Sequence, residues 1–589
     1  MNDGSITASP EQKMASNPLK AREDLHAWRE RQPTNLFTSD RQLVRLLRAT
    51  LGEERFAKHR AHFEAFGGVV AGPLDEAAIV NNRTTNLPEL ERWSPLGERI
   101  EAVAHHPSYH DCGRHIYEDG EVIAAYAEPA SNTRAMALFY LSSHVGEAGH
   151  NCPVACTAGV VKALGAEGSE ALKARWLGGV LTKDYPERLD GAQFVTEVQG
   201  GSDVGLNAVV ATPDGEGFGT TRWRITGEKW FCSNSDADLI LMTARVAGGG
   251  TRGLGLFLVP RLLEDGTVNH FNVRRLKDKI GTRSMPSGEI DFVGAIGYAV
   301  GPVDQGFRTL MAQVINTSRL YNTVGTAGIA RRARLIAQAY AQSRVAFGQP
   351  IARFPLVQEM VARMRGASQA LTAGAMRIAH HLDKEERGEL SDVERAWLRV
   401  GTNLAKMRSC QHSHRVVLTA IETLGGNGAI ESFSVLPRLL RDNVVYENWE
   451  GTHNTLIAQT HRDFAKHRLH EPFIAVLRRD LTTGDAAIDA ALEPARAAID
   501  RAEDALGSIL ALPDPGTAAL MLRPHVERLG DALFAGAFAQ DLLTEEDADR
   551  RAAELDVLTV FVDEHLRVAR PDPDQATAAR FARVMELDG

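Results

Sequence analysis

The feature that most constrains this chain is a change of hydrophobic period near Phe194. From Ser39 to about Thr182 apolar residues recur mostly at helical spacing, with loops expected at Val80–Pro95 and His105–Arg114. From Phe194 the chain breaks into short β-rich runs, among them 221–226, 239–243, 255–259 and 290–293, separated by Gly, Asp or Asn. Five or more such strands in about 110 residues predict a small sheet or barrel. Helical spacing then returns, with Phe307, Leu310, Met311, Val314, Ile315 and Leu320 on one stripe. Long helices are expected over 330–345, 356–385 and 392–424, and the tail repeats the pattern at Leu492, Ile499, Leu506, Ile509 and Leu510. The predicted fold class is mostly α with a central β-domain. Its parts are a polar N-terminal arm (1–35), an N-terminal helical domain (36–190), the β-domain (191–301), a helical bundle (302–470) and a helical extension (471–589).

Charge sets the last boundary. From Glu471 onward there are 24 acidic residues against 12 arginines and no lysine, while the whole chain carries a net charge of -10. The remainder is therefore close to neutral, which argues against a general nucleic-acid coat. With 44% hydrophobic and 24% charged residues the composition is that of a globular protein. The absence of an apolar run of about 18 residues excludes a bilayer span. The first residues lack the apolar core of a secretory signal, so a cytoplasmic protein is expected. Five cysteines in 589 residues read as reduced thiols, with Cys152 and Cys156 a buried small-residue pair. His105, His106, His110, Cys112 and His115 crowd together, but their spacing fits no structural zinc pattern, and no metal is expected.

Five clusters carry possible chemistry. In the segment from Phe194 to Gly205, Thr196 and Ser202 bring hydroxyls and Gly200–Gly201 permits close approach of a ligand to backbone amides; an ordinary glycine-rich hairpin explains it equally well. Thr226–Asn234 places the aromatic Phe231 two residues before the hydroxyl of Ser233, suited to a flat ring and its edge, or to an edge strand. Arg344–Gly348 ends a helix and offers a guanidinium to a phosphate. Leu424–Gly428 needs positive φ or close contact. Trp449–Asn454 puts a carboxylate before a glycine and a helix start capped by Thr452, the carboxylate being a general base or a first-turn acid.

In order and spacing the five clusters resemble the acyl-CoA dehydrogenase family of flavoproteins over about residues 100–465: Thr196-Glu with Gly-Ser-Asp203, Gly227-Glu-Lys-Trp-Phe with Ser233-Asn, Arg344 with Phe347-Gly, Leu424-Gly-Gly-Asn-Gly428 and Trp449-Glu-Gly-Thr452. Glu147-Ala-Gly-His-Asn-Cys-Pro153 and Gly281-Thr-Arg-Ser284 are of the AidB-like branch. Two departures stand out: Glu422 where a Gln usually precedes the glycine element, and replacement near Phe354–Pro355 of the Gln that normally follows the Arg-x-x-Phe-Gly element.

The resemblance implies the family's fold, an N-terminal helical domain, a small β-barrel and a C-terminal bundle. It also implies FAD as cofactor and removal of two hydrogens from an acyl thioester to give an enoyl product. On motif position Glu450 is the base that takes the α-proton, Gly451 leaves room for substrate, and Arg319 stands beside the base unless it is a solvated helix residue. Val195, Thr196, Gly201, Ser202, Phe231 and Ser233 are implied to hold the flavin and pyrophosphate, with Ser202 also reaching the substrate. Gly425, Gly426, Thr452 and Asn454 are implied to approach the dinucleotide. Arg344 and Phe347 are implied to reach the FAD of a neighbouring subunit, hence a homotetramer built as a dimer of dimers. Electron-transfer flavoprotein or O₂ is the implied acceptor, and a flavin oxidase or monooxygenase on the same fold is an alternative. A DNA-associated alkylation-response protein is a second alternative, but the acidic extension, where the branch carries a basic surface, argues that DNA is not bound. The extension is expected instead to pack on the bundle or a neighbouring subunit.

Overall fold

A computed structural model describes residues 22–23, 25–568 and 574–587. Most of the expected polar arm lies outside the described residues. Its last part is no free arm: Trp28 is buried with its ring 5.7 Å from that of Phe433, and Gln32 donates to Leu335 O at 3.2 Å. Leu25, Trp28, Leu36 and Phe37 give this polar stretch enough apolar surface to dock it.

The N-terminal domain contains α1 (Arg41–Leu51), α2 (Glu53–Val69), a hairpin of β1 (Glu89–Trp93) and β2 (Arg99–Ala104), then α3 (Pro107–Arg114), α4 (Asn132–Ser142), α5 (Asn151–Glu167) and α6 (Glu170–Leu181). Both expected loops are corrected here. The hairpin, with Leu90 opposite Val103, turns at Gly97 (φ 79°) inside and beyond the first. The second is α3, begun by Pro107 and by the His106 ring, which accepts from Ser108 N. α5 is buried on nearly every face, from Asn151 through Ala158 to Leu164, and forms the spine of the domain.

The β-domain comprises β3 (Gly191–Phe194), β4 (Val210–Gly217), β5 (Thr220–Ser233), β6 (Leu239–Arg245), β7 (Leu254–Pro260), β8 (Phe271–Leu276) and β9 (Ser287–Ala299). The order β6–β4–β5–β9–β7 closes on itself through β7–β6, so the unit is a barrel; β3 lies parallel to β6 and β8 pairs with β9. Ile225, Ile240, Met242, Phe257, Val259 and Phe292 fill it. β3 passes so close to α5 that a Cβ on Gly191 would stand 2.8 Å from Thr157 Cα. This places the loop after β3 at the boundary between barrel and helices.

The bundle consists of α7 (Asn316–Ser343), α8 (Pro355–Glu386), α9 (Asp392–Thr423), α10 (Leu436–Asn448) and α11 (His453–His467). The Phe307 stripe leads into α7 through a wide turn at Leu310–Ile315. A Ser391/Glu394 capping box starts α9. The extension is α12 (His470–Asp480), α13 (Glu493–Leu510), α14 (Pro515–Leu542), α15 (Ala548–His565) and α16 (Gln575–Glu586). α11 stops at His467, Arg468 takes a left-handed backbone (φ 53°) and α12 begins at His470, with Glu471 and Pro472 in its first turn, where proline costs no helical hydrogen bond.

Bundle and extension share one apolar core, with Phe534 of α14 packed on Gly374 of α8. Buried ion pairs cross the seam: Arg408–Asp531 at 2.7 Å, Arg377–Asp480 at 2.6 Å, and Arg45 of α1 to Asp541 and Glu554 at 2.7 Å each. Among the described residues no helix is long and apolar enough to cross a membrane.

Candidate active site

α10 and α11 are joined by Trp449–Thr452, and Glu450 there holds a left-handed backbone (φ 57°) that an L-residue adopts only under constraint, followed by Gly451 at φ 104°. The constraint is visible. Arg319, 3% exposed on α7, donates Nε to Glu450 O at 3.1 Å and Nη1 to Asn403 Oδ1 at 2.5 Å. Lys406, buried on α9, donates Nζ to Gly451 O at 2.9 Å and Glu447 O at 3.1 Å. Trp449 donates its indole N–H to Asn322 on α7. Two buried cations and an indole thus hold the kink that aims the carboxylate.

Glu450 retains some accessible surface, but its carboxyl is crowded by protein. Burial raises its pKa, opposed by Arg319 and then Lys406. The same crowding lowers the Arg319 guanidinium to about 10 and pulls the Lys406 ammonium down. The solvated alternative for Arg319 is therefore excluded. Beside this carboxylate lies a sulfur-rich wall: Cys152 and Cys156 of α5, with sulfurs 3.9 Å apart, pack with Met285 and Trp449. Glu147, which accepts from the amides of Asn151 and Cys152, has its carboxyl pushed up to about 7, first by burial and then by Asp442.

The loop after β3 comes to the same place. Ser202 Oγ lies 3.1 Å from Thr455 Oγ1, itself 3.1 Å from Thr452 Oγ1, so the loop and the first turn of α11 share a hydroxyl chain. Thr196 O accepts from Trp230 N at 3.0 Å, tying the loop to β5, which carries Phe231 and Ser233. Phe231 is 49% exposed, with the Lys277 ammonium 4.7 Å from its ring centre. Val195 O accepts from Lys229 at 3.2 Å. The loop is anchored from within by the buried Lys229–Glu197 pair at 2.7 Å, with Glu197 also accepting from Ala208 N at 2.6 Å. Both residues belong to the motifs, yet neither was assigned a role from sequence.

One expectation for α11 is corrected. Thr452 occupies the N-cap position, but its hydroxyl turns to Thr455 and does not cap the backbone. Asn454, exposed, accepts from Arg523 of the extension at 2.6 Å.

Arg344, Phe347, Gly425 and Gly426 form a second group. Arg344 ends α7 and leads a tight hairpin (Val345–Ala346 with Gln349–Pro350) whose turn raises Phe347, 96% exposed with φ 50°. Asn427 donates to Tyr340 at 3.1 Å, keeping the glycine turn beside this hairpin, and Gly425 (φ 59°) and Gly426 face open space. Among the described residues no hydrogen bond, ion pair or ring contact joins this group to Glu450. Lys406, Asn403 and Asn322 carried no sequence signal, since each is one polar residue in a long helical pattern. His105, His106, His110 and His115 turn to Asp236, Ser108, Tyr185 and Asp119 respectively.

Comparison with known proteins decides the family. The acyl-CoA dehydrogenase C-terminal domain matches residues 304–464, the middle domain 192–294, and the adaptive response protein AidB N-terminal domain 28–187. Acyl-CoA dehydrogenase family member 11 of Caenorhabditis elegans is 30% identical over 73% of this chain and 71% of its own, and the putative acyl-CoA dehydrogenase AidB of Escherichia coli is 31% identical over 76% and 82%. The chain belongs to the acyl-CoA dehydrogenase family. The Caenorhabditis elegans ACDH-11 structure in complex with C11-CoA superposes with TM-score 0.81 at 25% identity, covering 92% of this chain and 93% of that one, and the Bd2924 apo-form with 0.79 at 29%, covering 87% and 98%. The protein is accordingly an FAD-dependent, acyl-CoA dehydrogenase-like oxidoreductase of the AidB-like branch, acting on CH–CH groups. Its residues fit that cofactor. The hydroxyls of Thr196, Ser202, Thr452 and Thr455 are donors for a phosphate-bearing ligand, and a Cβ on Gly201 would close to 3.2 Å from Thr196 Oγ1 and fill the gap in the loop.

Proposed function

We propose that Glu450 removes the α-proton of an acyl-CoA thioester. The observation that carries this is the strained Glu450–Gly451 kink, held by Arg319 and Lys406, with a carboxyl whose pKa burial raises. An α-proton is a weak acid, and a desolvated carboxylate is a stronger base than a hydrated one. Arg319 and Lys406 oppose the rise that burial causes in the Glu450 pKa while holding its backbone, and Gly451 leaves the space beside it open. Thr196, Gly201, Ser202, Phe231, Ser233 and Thr452 hold the cofactor's ring and pyrophosphate. When bound, FAD supplies the acceptor for the hydride that leaves the β-carbon. Trp449, Cys152, Cys156 and Met285 keep water from the carboxylate while the proton moves to its oxygen. Glu450→Gln is near-isosteric and should keep the yellow colour but slow anaerobic flavin reduction by an acyl-CoA about 100-fold or more. Reduction at the parent's rate would place the base elsewhere.

The Arg344–Phe347 hairpin and the Gly425–Gly426 turn complete the dinucleotide site of a neighbouring copy, in a dimer of dimers. A phenylalanine raised fully into solvent on a tight turn supports this reading.

Duplex DNA is not a ligand of the extension. Arg478 is spent on Asp500 and Glu503, Arg479 on Asp480 and Arg523 on Asn454, leaving few cations for phosphates. Fluorescence anisotropy at about 150 mM salt should show no saturable binding of a duplex at micromolar protein. Salt-sensitive binding lost on neutralising Arg478, Arg479 and Arg523 would overturn this.

A further inference from the structure

Away from Glu450, three donors converge where the extension meets the bundle. His412 of α9, Asp531 of α14 and His565, the last residue of α15, each place one nitrogen or oxygen within 4.8 Å of the other two. They come from three helices far apart in sequence, so only the fold assembles them. His412 and Asp531 are buried, whereas His565 is half-buried and, with His412, lines a cavity of about 360 Å³. Glu359, Glu422 and Glu564 on its wall outnumber Arg363 and Arg415, so the cavity is mildly favourable to a cation.

Asp531 is oriented by Arg408, which donates Nε at 2.9 Å and Nη2 at 2.7 Å, as an outer partner holds a ligating carboxylate. His412 Nε2 lies 2.6 Å from Asp531 Oδ1, and an ion would replace the proton of that hydrogen bond, which moves to Nδ1 as the ring changes tautomer. Among the described residues the His565 ring meets only the rings of His412 (centroids 4.3 Å apart) and Phe561, and makes no hydrogen bond that a shift would break. Around a tetrahedral ion with bonds of about 2.05 Å the donors stand about 3.3 Å apart, so His565 closes by at most about 1.5 Å while the His412–Asp531 contact opens from 2.6 Å. The fourth position then opens to the cavity and a water.

We infer that His412, Asp531 and His565 form a binding site for a divalent ion of the zinc class, which clamps the extension to the bundle. Two imidazoles, one carboxylate and an open fourth position suit Zn²⁺ and its spectroscopic substitute Co²⁺.

The test uses the full-length flavoprotein dialysed against chelator and then titrated with ZnCl₂ alone by calorimetry, and with CoCl₂ by absorption. One ion per chain should bind at micromolar or lower concentration, four-coordinate Co²⁺ bands should appear, and Zn²⁺ should raise the unfolding temperature. His565→Gln, which breaks no hydrogen bond, should weaken binding by about 100-fold or more while keeping the flavin, and His565→Cys, a competent ligand, should restore it. Absence of saturable binding, or binding unchanged in His565→Gln, would leave only an Arg408–Asp531–His412 ion-pair network and overturn the site.

Discussion

Replacing Lys229 by Met tests whether the flavin loop is held from inside the barrel. Lys229 is fully buried and its ammonium donates to Glu197 at 2.7 Å, Val195 O at 3.2 Å and Thr243 Oγ1 at 3.4 Å. The substitution conserves length and apolar volume, so it leaves no cavity, but strands the Glu197 carboxylate. Breaking a buried pair from one side costs about 3–5 kcal/mol. Glu197 keeps its bonds from Ala208 N at 2.6 Å and Gln199 at 2.7 Å, which offset part of the loss, so the lower end, about 3 kcal/mol, is expected. That is about two orders of magnitude in the folding equilibrium. Because Glu197 lies within the Val195–Ser202 loop, FAD should also be lost on gel filtration. Urea midpoints followed by tryptophan fluorescence measure the first effect, and the flavin-to-protein absorbance ratio the second. The double variant Glu197→Gln/Lys229→Met removes the stranded charge and should recover most of the stability, since a buried pair replaced as a whole is often neutral. A single variant within about 1 kcal/mol of the parent, or a double variant no better than the single, would refute the reasoning.

The base must be ionised to work, so activity rises with pH through the Glu450 pKa, which burial places above the ordinary carboxylate value. Lys406 opposes that rise; Lys406→Met should therefore move the acid limb of kcat/KM for anaerobic flavin reduction to higher pH, with severalfold loss at the acid end, and a limb that stays or moves down would contradict the assignment. Phe347→Ser removes an apolar side chain that the monomer leaves in water, so monomer stability should hardly change, whereas each subunit contact should weaken by about 1.5–3 kcal/mol. Sedimentation velocity at micromolar protein should show smaller species with less bound FAD; an unchanged assembly would remove Phe347 from the interface.

What the sequence made legible follows from how local each cause is. The switch of period at Phe194 reports strands and helices because burial of one face is written in neighbouring residues, and the motif loops are legible because tight turns and hydroxyls sit within a few positions of one another. Lys406 and Asn403 were not, because they lie 44 or more positions from the Glu450 kink they hold, and a single polar residue in a helix has no period of its own. The change of composition at Glu471 falls in the first turn of α12, just past the left-handed Arg468 that ends α11. Acidity was countable in the extension, but its meaning required the partners. Asp480, Asp531, Asp541 and Glu554 face Arg377, Arg408 and Arg45, all contributed by the rest of the chain. Read alone, the extension is a surface that repels phosphate; read with those arginines, its acids are half of a buried seam. Removing Asp480 or Asp531 takes away the ion pair of Arg377 or Arg408, so the charge imbalance between the two parts is itself a consequence of how they are joined.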